Sequence, residues 1–349
     1  MKKILALCLV VAMVAAMFAG CTAKPAGNTS APAPDGESAK PKELTSETYY
    51  YICPLANLEY WQAHKAGLED ACAELGVTPK FVGDDGLDVD AMCAVLETAI
   101  NDPNCAGIVM QANFADAYEP YVEMAQKKGI PVCYQTVDGV SGSKRLSFLG
   151  TDYVQYGRVM MQQAAEATDG RGNVIVSNAL SAGSAAVEDV MTGIREECKN
   201  WPDMSIVAEI DNTSDAAVAA TKIGAALLAN KDVTAVIGGQ STSAIGGVTA
   251  IKEAGLTGKV KVISIDRDAS TLEYIQHGDI YSTVAGKQYT EVYYGVKICY
   301  DYRHGSKKAF SKDDASANMV VAPSYVDCGS LIINKDNVDK FVGFSYAKR

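Results

Sequence analysis

TYYYICPLANLEYWQAHKAGLEDACAELG, residues 48–76, decides the fold. Tyr49 to Cys53 form a short apolar run suited to a buried strand, and Pro54 to Asn57 break it. A helical period follows. Trp61, His64, Leu68, Cys72 and Leu75 recur at spacings of three or four and share one face, while Glu59, Lys65, Glu69, Asp70 and Glu74 fall mostly elsewhere. Gly76 ends the helix, as a residue free to turn left-handed does. Strand, loop and helix in this order open a β-α-β unit. Its loop carries Asn57, Glu59, Tyr60 and Trp61 just beyond the carboxyl end of the strand, where open parallel sheets place their ligand crevice. Trp61 has two readings at this point: a helix-start side chain packed on the core, or an aromatic face offered to a ligand.

The same alternation continues down the chain. Strands are expected at 78–82, 105–110 and 130–134, with helices at 89–100 and 115–128 between them. Helix 151–168 then leads to strand 173–177, 185–198 to 205–210, 215–229 to 233–237, 242–254 to 260–265, and 270–276 to 280–285. A last amphipathic helix, 289–303, precedes short strands near 319–322 and 330–333. Strands alternating with helices of this length imply parallel sheets with right-handed crossovers. The expected class is α/β, with two similar lobes, each a parallel sheet flanked by helices.

The ends and the composition narrow the function. Met1 to Gly20 places Lys2 and Lys3 before an apolar run from Ile4 to Phe18, which is the pattern of a signal peptide and too short for a stable span. Residues 22–46 are rich in Ala, Pro, Ser, Gly and Lys, cannot bury enough surface to order themselves, and form a tether. Without Lys2 and Lys3, 29 basic residues face 42 acidic ones, a net charge of about −13, which argues against nucleic acid or an anionic membrane surface as partner. Ten cysteines are present. Cys8 lies in the leader, Cys21 follows it, and the other eight stand singly with no C-x-x-C pair. Cys53, Cys133 and Cys299 sit in apolar runs where a free thiol behaves as a small hydrophobe, so free buried thiols are expected, with one or two bridges as the alternative. His64, His277 and His304 fall in three separate elements and give no zinc spacing, and His64 suits a helix face better than catalysis. No phosphate-binding, dinucleotide, metalloprotease or nucleophile-elbow motif occurs. No enzyme activity, cofactor or metal is expected.

Two resemblances sharpen this. Phe18-Ala19-Gly20-Cys21 resembles a bacterial lipoprotein processing box, with Phe18 where Leu is usual, which implies lipidation of Cys21 and anchoring of residues 21–46 at the cell membrane. From Tyr49 to about Phe341 the chain resembles the periplasmic-binding-protein-like domains of the first type, the ribose and simple-sugar solute-binding lipoproteins of ABC importers. The residues that carry this are EYWQAHKAGLEDACAELG at 59–76, DVDAMCAVLETAINDPNCAGIVM at 88–110, KKGIPV at 127–132, FLGTDYVQYGR at 148–158, AVIGGQSTSAIGGVTAIKEAG at 235–255, VISIDRDASTLEYIQHGDIYSTVAG at 262–286 and INKDNVDKF at 333–341.

The resemblance implies three crossings between lobes, with residues 47–138 plus 288–322 in one and 139–287 plus 323–349 in the other. It implies a small-molecule ligand, most simply a monosaccharide, bound between the lobes and delivered to an ABC transporter permease. The matching ligand positions are Asn57, Glu59, Tyr60 and Trp61; Asp84 and Asp88; Gln111 and Asn113; Gln135, Thr136 and Asp138; then Ser184 and Glu188, Asn212, Gln240 and Ser241, and Asp266 with Arg267. Asp266 matches best, though it could instead cap helix 270–276 or pair with Arg267. Departures are as informative. Ala186 to Asp189 stand where the ribose-type pattern has an Arg, Gln240-Ser241 replaces an Asn-Asp pair, Thr136-Val137 an Asp-Arg pair, and Val284-Ala285-Gly286 a Val-Ala-Gln. The implied site is polar but not a ribose site. A receptor for a furanosyl signal such as autoinducer-2, or for a cyclitol, would share the processing box and the two lobes; a transcriptional regulator of the same fold would need a helix-turn-helix where this chain has its leader.

Overall fold

The computed structural model describes residues 45–57, 59–305, 311–312 and 320–343, so the expected leader, Cys21 and nearly all of the tether lie outside it. Strand β1 (Thr48–Cys53) is buried along its whole length, and its alternation decides what packs on each face of the first sheet. Tyr50 and Ile52 join a cluster with Met92, Leu96, Ile100, Tyr118 and Val122. Tyr49, Tyr51 and Cys53 join one with Leu68, Cys72, Val292, Val296 and Cys299. The first cluster comes from helices α2 (Val89–Asn101) and α3 (Ala115–Lys127), the second from α1 (Gln62–Leu75) and α9 (Gln288–His304). A strand covered on both faces has no polar side to show, which is why β1 is an unbroken apolar run. Gly76 caps α1 at φ 71°, as expected.

The first sheet runs β11 (Tyr325–Asp327), β5 (Ser147–Gly150), β4 (Val132–Gln135), β3 (Cys105–Met110), β1 and β2 (Thr78–Gly83), all paired parallel. The second runs β12 (Ser330–Asn334), β10 (Ser282–Gly286), β9 (Lys261–Ile265), β8 (Val233–Gly238), β6 (Gly172–Asn178) and β7 (Met204–Asp211), parallel except for the antiparallel pair of β10 and β12. Helices α4 (Tyr153–Ala167) and α5 (Ala185–Cys198) cover one face of this sheet; α6 (Ala216–Ala229), α7 (Ser241–Glu253) and α8 (Ala269–His277) cover the other. Helices α4 and α5 cross backbone to backbone. A Cβ on Gly157 would lie 2.0 Å from the Val190 carbonyl oxygen, and one on Gly193 would lie 1.9 Å from that of Val154.

The chain passes between sheets three times: from β5 to α4, from β10 to α9, and from β11 to β12. Two of the expected boundaries move. Ser147–Gly150 pairs with β4, so the first passage follows Gly150 rather than residue 138, and Tyr325–Asp327 pairs with β5, so the last follows Asp327 rather than residue 322. Residues 320–322 are not strand, and the expected strand near 319–322 is replaced by β11. Strands of three or four residues carry too few alternations to show a period, and partners distant in sequence decide them. At the crossing, the Cys328 amide donates to the Gly150 carbonyl at 2.8 Å, and Gly329 turns the chain at φ 67°. The eight described cysteines are free and all but Cys328 are buried. No helix among the described residues is long and apolar enough to cross a membrane.

Candidate functional site

A cleft open to solvent lies where the two lobes meet. The first lobe lends Tyr60, Thr136, Gln288 and Glu291; the second lends Tyr153, Tyr156, Ile265 and Asp266; Thr151 and Gly286 come from the crossing segments. Each stands at or just beyond a strand end, because parallel strands that all point one way deliver their following loops to a single edge.

Asp266 follows β9. Its backbone takes the left-handed conformation at φ 66°, which Asp tolerates better than most residues, and is pinned by an amide bond to the Val284 carbonyl at 2.9 Å and by the Thr283 hydroxyl donating to its own carbonyl at 2.6 Å. Asp268, not Asp266, caps α8: one Asp268 oxygen accepts the Thr271 amide at 3.0 Å and the other the Thr271 hydroxyl at 2.9 Å. The Asp266 carboxyl is thereby left to the cleft. Solvent touches it, yet protein surrounds it closely enough that desolvation, with the like charge of Asp268, pushes its pKa up to about 6.

Glu291, in the first turn of α9, is 2 % exposed. Desolvation pushes its pKa up to about 7, against the Thr136 hydroxyl that donates to its Oε2 at 2.6 Å. Thr136 reaches it because it too is left-handed, at φ 56°, an uncommon state for a β-branched residue. The same hydroxyl also contacts the Gln135 amide oxygen, and Gln135 Nε2 donates to the Tyr51 hydroxyl at 2.6 Å. A buried polar chain therefore runs from β1 through β4 to the cleft floor.

Three tyrosines complete the lining. Tyr60 is 48 % exposed, with its hydroxyl hydrogen-bonded to the Gln288 side chain; Tyr153 meets Tyr156 edge-on with ring centroids 6.2 Å apart; and the Tyr156 hydroxyl donates to the Val284 carbonyl at 2.6 Å. Burial and the two carboxylates raise all three phenol pKa values, that of Tyr153 to about 12, so these hydroxyls stay protonated. The cleft offers hydroxyl donors, two carboxylate acceptors and flat aromatic faces.

The residues expected from the sequence divide. Tyr60 and Asp266 line the cleft, Thr136 does so from β4's end, and Gln135 supports it from beneath. Trp61 is a correction to the ligand reading. It is 4 % exposed, its Nε1–H donates to the Leu55 carbonyl at 3.0 Å, and its ring packs on Tyr51 and His64, so the aromatic face in the cleft belongs to Tyr60. His64 is fully buried among these rings, and burial drops its pKa to about 3, which keeps it neutral.

Other expected residues are engaged outside this lining. Asn57 donates to Asp85 at 2.6 Å, Asp84 accepts the Gly86 amide at 2.8 Å, and Asp88 caps α2 through the Ala91 amide at 2.8 Å. Asp138 holds Arg145 through two bonds of 2.5 and 2.6 Å, and Glu188 pairs with Arg195 at 2.8 Å. Asn212 is buried with its amide on the Ser243 hydroxyl at 2.7 Å, and Gln240 donates to Ser214 at 3.2 Å. Gln111 is buried, Asn113 and Ser184 are exposed, Ser241 opens α7, Arg267 is half-buried beside Asp266, and the Glu59 side chain lies outside the described residues.

Sequence reasoning missed Thr151, Tyr153, Tyr156, Gln288 and Glu291. All five stand within a few residues of a passage between lobes, and the FLGTDYVQYGR stretch was the available signal for three of them.

The pattern described as "Periplasmic binding protein domain" matches residues 49–307, most of the chain. The chain belongs to the periplasmic binding protein family. Its curated relatives include a xylitol-binding protein of Mycolicibacterium smegmatis, 26 % identical over 260 residues covering 72 % of this chain and 67 % of that one. They also include the D-allose-binding periplasmic protein of Escherichia coli, 24 % identical over 266 residues covering 74 % and 85 %. Among solved structures, an arabinose-binding protein of Geobacillus stearothermophilus superposes with a TM-score of 0.76 at 27 % identity, covering 84 % of this chain and 99 % of that one. The sugar-binding protein of a sugar ABC transporter from Bacillus halodurans gives 0.77 at 26 %, with the same coverage. Two sheets of mostly parallel strands with flanking helices match the first type of this family's fold.

Proposed function

We propose that this protein is an extracytoplasmic solute-binding lipoprotein that captures a small polyhydroxylated molecule, of the monosaccharide and alditol class, in the interlobe cleft and hands it to an ABC importer without chemical change. The observation that carries this is the convergence of Asp266 and Glu291 with the Tyr60 and Tyr153 rings and hydroxyls on one cleft. Carboxylates accept from several ligand hydroxyls at about 1.5–3 kcal/mol per charge-assisted bond, while aromatic faces cover the C–H surface of the ring. The sugar and polyol names of the relatives support the same class. Among the described residues of the lining there is no Lys or Arg, which disfavours sugar acids and sugar phosphates. Asp266, Glu291, Tyr60 and Tyr153 are assigned as ligand contacts, and Gln135 and Thr136 as their support.

A thermal-shift panel of pentoses, hexoses and alditols tests the reading. A ligand at 100 times its dissociation constant adds about 2.7 kcal/mol of stability, so a cognate compound produces a clear rise in melting temperature. A flat response across the panel at millimolar concentrations refutes it. Anchoring through Cys21 is tested separately: Cys21→Ser releases the protein from the membrane fraction if lipid holds it there, since stable retention needs more than one acyl chain.

A further inference from the structure

Among the described residues no cation is seen acting on either carboxylate of the cleft; Arg267, which follows Asp266 in the chain, acts on His64. Glu291 arrives from α9 and Asp266 from the β9 end, and both face the same space. None of the ten lining residues is Lys or Arg. Among the described residues, the charged group acting on Asp266 is Asp268, a like charge, and the group bonded to Glu291 is the Thr136 hydroxyl. Lys287 is next to Gln288 in sequence, but its ammonium lies at the hinge turn, 3.6 Å from where a Cβ on Gly329 would stand. Three tyrosine rings border the two carboxylates, and the faces of such rings attract cations. Closing this cleft over a neutral polyol leaves the Asp266 charge, and that of Glu291 wherever it is ionised, without a counter-charge, whereas a ligand bearing one positive charge supplies it and gains from the rings.

We propose that the cleft is built for a polyol bearing a protonated amine, an amino sugar or amino alditol, in preference to the neutral sugar of the same stereochemistry; this rests on the polyol-binding reading above. The hydroxyls of Tyr60, Tyr153 and Thr151 orient the ring, and the Asp266 and Glu291 carboxylates receive the ammonium.

Calorimetry at pH 7 on matched triplets decides it: D-glucosamine, D-glucose and N-acetyl-D-glucosamine, with the galacto and manno series beside them. In the best-binding series the amine binds at least about tenfold tighter than both its neutral parent and its N-acetyl derivative, the margin between a charge-assisted and a neutral hydrogen bond. Added salt narrows that ratio. Asp266→Asn and, independently, Glu291→Gln narrow it as well, with melting curves confirming that each variant is folded. A neutral parent or N-acetyl derivative that equals the amine in every binding series overturns the proposal and leaves polyol binding intact. If no sugar of any kind binds, the polyol reading itself falls and takes this one with it.

Discussion

Glu291→Gln should stabilise the unliganded protein at pH 8 and make little difference at pH 4.5. The Glu291 carboxyl is 2 % exposed, and burial lifts its pKa from 4.5 to about 7. An acid whose folded pKa is raised keeps its proton in the native state over a range where the unfolded chain has already lost it. Its contribution to stability is therefore full below about 4.5, falls as pH rises to about 7, and stays low above that. Each pKa unit is worth about 1.4 kcal/mol, so the ionised side chain costs the native state roughly 3 kcal/mol at pH 8. Gln has nearly the same shape, keeps an oxygen to accept the Thr136 hydroxyl, and never ionises. Urea unfolding followed by tryptophan fluorescence at pH 4.5, 6 and 8 should show a gap that opens across this window in favour of the variant. Asp266, at about 6, titrates in both proteins and largely cancels in the difference. A gap independent of pH, or a variant less stable than wild type at pH 8, would refute the claim that an uncompensated buried carboxyl sits at the cleft floor.

Trp61→Ala should lower unfolding free energy by about 3–5 kcal/mol, as expected for emptying a buried aromatic site. Tyr60→Ala should leave melting nearly unchanged and weaken ligand binding about tenfold or more; parallel melting and calorimetry on the two variants will show whether their effects divide in this way. Gly193→Ala should destabilise the second lobe by at least about 1–3 kcal/mol in chemical unfolding, because its Cβ would meet the Val154 carbonyl at 1.9 Å and α4 and α5 would have to part. Asp138→Asn should cost on the order of 1 kcal/mol in the same assay, through its partly buried bidentate pairing with Arg145, without changing affinity.

Features encoded within a few residues of chain were legible before folding was considered. The tyrosine run of β1, the face shared by Leu68 and Cys72, the Gly76 cap and the regular return of strand after helix announce two parallel sheets, since periodicity and capping act over one or two turns. Asp266 was legible for the same reason: it stands directly after an apolar strand, at the edge where parallel sheets bind.

The remaining features depend on contacts between distant segments. Trp61 and Tyr60 are neighbours in one helical turn, and which of them faces the core depends on the rotation that α1 adopts when Leu68 and Cys72 seat against β1 and α9. β5 is a strand only because it lies between β4 and β11, and β11 only because it lies beside β5, 177 residues away at Phe148 and Tyr325. The cleft gathers residues 60, 136, 153, 266 and 291, and no local pattern records that they meet. Glu291 reads in sequence as an ordinary acidic residue in the first turn of a helix; its raised pKa and its place in one cleft with Asp266 come from what packs around it, because desolvation is a property of the surroundings and not of the residue.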